Sequence, residues 1–200
     1  ERAHEAASTY RAVEAGTRVF DQSVFITVRA DTREGLDESV FMQLALKCAA
    51  WNADKLSDVK RAEQYYKAAL ERDPENADAL ERLESIYRSL GEIEQLIGVL
   101  EKKAEYEYNL DTKKEILAEV ADLAENALTD AAAAARAWKA ISELDEADTR
   151  AQDALIRLYE MAGQWEELIE ILDRKARFVM ESNEGLALRH RIGELCHTKL

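Results

Sequence analysis

Apolar residues recur at three- and four-residue intervals through most of this chain. Leu80, Leu83, Ile86, Tyr87 and Leu90 form one such series, and Ile93, Leu96, Ile97 and Leu100 form the next. That spacing gathers apolar side chains on one face of an α-helix, so residues 77–104 predict two amphipathic helices. Gly91 ends the first, and Lys102 and Lys103 fall late in the second, where cations suit the negative end of a helix dipole. One short segment reads differently: Ser23-Val24-Phe25-Ile26-Thr27-Val28 is β-branched and aromatic and would make a strand in isolation. Among helical neighbours it is expected to be a buried helix.

The pattern repeats at an offset of 72 residues. Leu83, Tyr87, Gly91, Leu96, Leu100, Lys103 and Ala104 return as Leu155, Tyr159, Gly163, Leu168, Leu172, Lys175 and Ala176. Upstream, Leu56-Ser57-Asp58, Ala62, Tyr66-Lys67-Ala68 and Asp73 return as Leu128-Thr129-Asp130, Ala134, Trp138-Lys139-Ala140 and Asp145. Ser57-Asp58 and Thr129-Asp130 are residues that cap exposed backbone N–H groups at a helix start. Pro74 forbids a helix from continuing past it. A fixed period of this kind indicates stacked helical units rather than a closed enzyme fold.

Composition agrees and narrows the partners. With 7 glycines and 1 proline in 200 residues, the chain lacks the punctuation of a many-stranded protein. Its 41 acidic against 27 basic side chains give a net charge of −14, which repels a phosphate backbone or an anionic membrane surface. No apolar run reaches the roughly 18 residues of a membrane span. Cys48 and Cys196 stand too far apart in a stack to form an intramolecular disulfide, so a reducing compartment such as the cytoplasm fits. The chain begins at Glu1 and stops mid-pattern at Leu200, so it is expected to be a segment of something longer.

The residues resemble tetratricopeptide repeats, whose pattern is W-x2-L-G-x2-Y, then A-x3-F, then P. Ala62, Tyr66 and Pro74 match its second half; Leu80-x2-Leu83-Glu84-x2-Tyr87 and Arg189-x2-Ile192-Gly193-x2-Cys196 match parts of its first half. Glu84 and Ile156 depart from it by occupying the normally small position. The resemblance implies an all-α fold, a right-handed α-solenoid of stacked antiparallel helix pairs. Units are expected near 42–76, 77–113, 114–148 and 149–185, with the first helix of another from 186 and a divergent N-terminal helical pair over 1–41 that hinges at Gly16.

Candidate chemistry is sparse. Glu1-x-x-His4 and Glu194-x-x-His197 have di-iron spacing but fall at opposite ends of a stack, so they cannot share a metal. His190, Glu194 and His197 share one helix face, which makes them a candidate zinc set as well as an ordinary polar face. Cys48 and Cys196 take positions where the pattern wants Leu and Tyr, which predicts buried, inert thiols. No phosphate loop, Cys-x-x-Cys pair or nucleophile elbow occurs, so no catalytic machinery and no cofactor are expected. Trp51 and Trp138 stand at packing positions and read as core. Trp165, beside a turn, is a candidate anchor for a partner.

The resemblance also implies that the first helix of each unit lines a groove that receives an extended or helical peptide of another protein. The groove positions it assigns are Asp78, Glu81, Arg82, Ser85 and Arg88; Glu115, Glu119, Asp122, Glu125 and Asn126; Arg150, Asp153, Arg157 and Glu160; and His190, Arg191, Glu194 and His197. The second of these sets has no cation, so a basic or mixed-charge segment is expected to dock there, with Arg157 or Arg88 taking an acidic residue beside it. Leu46 and Ala50 stand where a clamp for chaperone C-terminal carboxylates would need polar residues. The expected function is a protein–protein interaction scaffold or adaptor. The alternatives are a structural, self-associating or spacer segment of a larger repeat protein, and a metal-dependent helical protein.

Overall fold

The computed structural model describes residues 38–54, 58–179 and 183–199, with side chains from Ala45 onward. Among these residues all regular structure is helical: α1 (Glu38–Asp54), α2 (Val59–Leu70), α3 (Ala77–Leu90), α4 (Ile93–Tyr106), α5 (Leu110–Asn126), α6 (Ala131–Leu144), α7 (Thr149–Ala162), α8 (Trp165–Phe178) and α9 (Asn183–Thr198). Of the expected 1–41 helical pair, residues 1–37 with the Gly16 hinge, the segment 23–28 and His4 lie outside the described residues, as does the Ser57 cap, while residues 38–41 open α1 and run on into the unit expected from 42. Two compact units divide between Ala79 and Leu80.

In the first unit α1 packs on α2. Asp58 starts α2 by accepting from Arg61 N at 3.2 Å. Ala62, Tyr66, Ala69 and Leu70 form the buried face of α2. The α1 side buries Ala45, Ala49 and Asn52. Trp51 does not join them: at 40% exposure it stands two positions, about 200°, around the helix from Ala49. The core position expected for it is therefore corrected. Exposed Lys47, one turn earlier, marks the same outward face.

In the second unit α4 packs on α5, α5 on α6, α6 on α7, α7 on α8 and α8 on α9. This is the consecutive stacking of an all-α solenoid. The 72-residue repeat is visible as shared geometry. Leu83 and Leu155, Leu96 and Leu168, and Leu100 and Leu172 are all core residues, as are Tyr87 and Tyr159. Gly91 and Gly163 both adopt left-handed backbone, with φ of 70° and 69°. After each, one amide reaches back to a tyrosine carbonyl: Glu92 N to Tyr87 O at 3.0 Å, and Gln164 N to Tyr159 O at 2.9 Å. These bonds satisfy helix-terminal carbonyls and turn the chain into the next helix.

A side chain in that left-handed conformation is strained, and alanine at Gly163 would meet the Trp165 ring at only an ordinary 3.8 Å. Gly91→Ala and Gly163→Ala should therefore each lower stability by about 1 kcal/mol through backbone strain alone. Urea midpoints at unchanged slope measure it; no shift at either position would contradict the strain.

Capping repeats as well. Asp130 accepts from Ala133 N at 2.9 Å and Asp148 from Ala151 N at 3.0 Å, as Asp58 does in the first unit. Three of the seven alanines of α6, Ala134, Ala135 and Ala137, are buried, and small side chains there let neighbouring helices approach. Trp138, on the same helix, is 4% exposed.

Candidate functional site

The first helices of successive pairs, α3, α5, α7 and α9, stand side by side and are tied together by ion pairs. Arg88 of α3 donates to Glu119 of α5 at 2.6 Å. Arg157 of α7 donates through both terminal nitrogens to the two carboxylate oxygens of Glu125 on α5. Arg150 lies 3.6 Å from Asp122, and Arg191 of α9 donates to Glu160 of α7 at 2.7 Å. Paired arginine and carboxylate groups thus alternate from helix to helix along this face.

The expected groove residues are indeed on these helices, all exposed except half-buried Glu119, Glu125 and Arg191. Their charges are not waiting for a partner, however. Glu119, Asp122 and Glu125, expected to hold a basic segment, face Arg88, Arg150 and Arg157 of the same chain. Arg88 and Arg157, expected to take a partner's carboxylate, are the other ends of those pairs. The physical reason is lateral register: helices of opposite charge pattern, one repeat apart, lie within side-chain reach. Hydrogen bonding to Arg157 holds the Glu125 carboxyl below the usual carboxylate range. Hydrogen bonds from Arg88 to Glu119 and Glu84 raise the Arg88 guanidinium.

Sequence reasoning missed two further charge centres. Glu84, the residue too large for the repeat pattern, receives Lys103 of α4 and Arg88 at 2.8 Å each. Burial pushes its carboxyl up, but those hydrogen bonds outweigh burial and hold it low. Ile156 replaces it one period later, and Lys175 turns instead to Asp153 at 2.6 Å. Lys114 of α5 donates to Asp145 at 2.9 Å, with Asp148 at 3.8 Å and Asp111 at 3.9 Å. That bond raises Lys114 and lowers Asp145. A signal for these contacts does exist in the sequence. Arg88–Glu119, Lys114–Asp145 and Glu160–Arg191 are 31 residues apart, and Glu125–Arg157 is 32.

A cleft of about 400 Å³ opens beside Lys114, between α5 and α7 with α6 behind. Asp111, Lys114, Glu115, Ala118, Trp138, Ile141, Asp148 and Arg150 line it. The Arg150 guanidinium lies 5.1 Å from the Trp138 ring centroid, a cation–π distance.

The histidine set does not assemble. His190 Nδ1 is 3.7 Å from Glu194 on an exposed face, and among the described residues no group of His, Cys, Asp and Glu comes together as metal ligands. Cys196 is exposed rather than buried: α9 packs on α8, and among the described residues no later helix packs on α9 as α8 packs on α7. Cys48 is half-buried, and burial raises its thiol. Trp165 is not a bare anchor: Lys199 Nζ lies 4.8 Å from its ring centroid and Gly163 beneath it.

Residues 79–111, nearly all of α3 and α4 with the turn between them, match the family model described as tetratricopeptide repeat. The chain carries a tetratricopeptide repeat. Solved structures similar to this chain include a MamA protein, at 19% identity and a TM-score of 0.40 over 81% of this chain and 91% of that one. Another is YrrB, described as a tetratricopeptide-repeat protein with an unusual peptide-binding site, at 14% identity and a TM-score of 0.38 over 80% and 86% of the two chains. A third is a tetratricopeptide repeat protein from Parabacteroides merdae, at 18% identity and a TM-score of 0.36 over 84% and 62%. No curated protein matches the chain. The repeat supports a role in protein–protein interaction, and among the described residues no helix is long and apolar enough to cross a membrane.

Proposed function

We propose that this chain is a non-catalytic scaffold that receives a peptide of another protein along the side formed by α3, α5, α7 and α9. The observation that carries the reading is the tetratricopeptide repeat at 79–111. The side-by-side first helices support it. Their cross-helix pairs hold a face together while leaving Glu81, Ser85, Glu115 and Asp153 at its surface. Fixed polar groups on a rigid face give orientation and specificity to a bound peptide.

Site-specific photo-crosslinking tests this side against the other. A benzophenone side chain replaces exposed Ser85 on α3 or exposed Lys139 on α6, and captured proteins from source-cell lysate are identified by mass spectrometry. The expected result is a partner captured from Ser85 and not from Lys139. Capture only from Lys139 would overturn the placement, and capture of only further copies of this chain would favour a self-associating structural segment. Glu119→Lys/Asp122→Lys is a poor substitute, because it also breaks the pairs to Arg88 and Arg150.

A further inference from the structure

The cleft between α5 and α7 joins charged walls to an apolar floor. Its cations are already engaged, Lys114 by Asp145, Asp148 and Asp111, and Arg150 by Asp122. Glu115, at its rim, forms no ion pair among the described residues, and three carboxylates, Asp111, Glu115 and Asp148, line the cleft against two cations, Lys114 and Arg150. The floor is apolar, made by buried Ala118, Ile141 and Trp138. Trp138 supplies two further features. Its ring already lies under one guanidinium, and its Nε1–H is buried without an acceptor.

We propose that this cleft holds a lysine or arginine side chain of a partner peptide, with Glu115 and Asp111 as counter-charges and Trp138 in its floor. The inference rests on the scaffold reading above and moves the basic anchor from Glu119, Asp122 and Glu125, which the chain pairs internally, to the N-terminal half of α5. Long basic side chains suit such a place, because their methylene stems cover apolar surface while the charged head stays at the rim. A volume of about 400 Å³ accommodates one such side chain with its adjoining backbone.

The test titrates the isotope-labelled full chain with acetyl-Ala-Ala-Arg-Ala-Ala-amide at low salt and follows the indole N–H resonances of its 3 tryptophans. Trp138→Phe identifies the relevant resonance. The expected result is a saturable shift of the Trp138 indole with the backbone amides of Asp111 and Glu115. Glu115→Gln with Asp111→Asn should weaken it about tenfold, since both exposed counter-charges are lost together. The same peptide with Glu in place of Arg should produce no such shift. An unmoved Trp138 resonance, absence of binding, unchanged affinity in the double variant, or tighter binding of the acidic peptide would each overturn the proposal. Saturable shifts elsewhere on the first-helix side would sink the cleft and leave the scaffold reading standing. That reading falls only on the crosslinking outcome.

Discussion

Trp138→Ala should lower the stability of the second unit by about 3–5 kcal/mol, whereas Trp51→Ala should change stability by less than about 0.5 kcal/mol. Both tryptophans occupy repeat packing positions, yet one is 4% and the other 40% exposed. Trp138 sits on α6, which packs between α5 and α7. Truncating it leaves a cavity and removes the ring over which Arg150 lies. In a stack each helix pair is stabilised by its neighbours, so loss in the middle also uncouples what lies on either side. The unfolding transition of Trp138→Ala should accordingly broaden as well as move. Trp138→Phe should cost under about 1.5 kcal/mol, because it keeps most of the volume and removes an indole N–H that has no acceptor. Urea denaturation of the three variants measures this, and a Trp51→Ala loss comparable with that of Trp138→Ala would contradict the burial described.

Those two residues also show how far the sequence carries. The 72-residue period identifies core pairs such as Leu83 with Leu155 and Leu96 with Leu168, because burial in a stack is set by position within the repeat. It identifies the glycine turns for the same reason: Gly91 and Gly163 solve one backbone problem twice. It misplaces Trp51, since a packing position within the repeat says nothing about which side of α1 is covered. Cys196 fails likewise, at a position buried only where a following helix packs on it. The polar side chains of the first helices were readable helix by helix. Their electrostatics were not, because pairing depends on the lateral register of helices one repeat apart. Only the 31- and 32-residue spacing of opposite charges records that register. Reading each helix alone makes α5 look like an unopposed acidic strip.

Paired carboxylates within this face should make part of its stability depend on pH, and the expected sign is definite. Glu84 and Glu125 titrate lower in the folded chain than their usual value of 4.5. Protonation therefore costs more in the folded state. The stabilisation is fully present above the unfolded value and is lost as pH falls through the folded value. Glu84, with a side chain 18% exposed and bound by both Lys103 and Arg88, has the larger share; Glu125, at 26%, holds Arg157 through both oxygens. With solvent screening limiting each contact to at most about 1 kcal/mol, Glu84→Gln/Glu125→Gln should cost about 2 kcal/mol at pH 7. Wild-type stability alone is a poor readout, because a chain of net charge −14 also gains from acid as its self-repulsion falls. The difference between variant and wild type cancels that common term. It should stay constant from neutral pH down to about 5.5, narrow below 4.5 and vanish once both glutamates are protonated in the wild type. Raising salt from 0.1 to about 1 M at pH 7 should shrink it too, since these pairs are half in solvent. A difference that stays the same at every pH would mean the two glutamates contribute through packing, and the pairs tying α3 to α4 and α5 to α7 would then not stabilise the stack through charge.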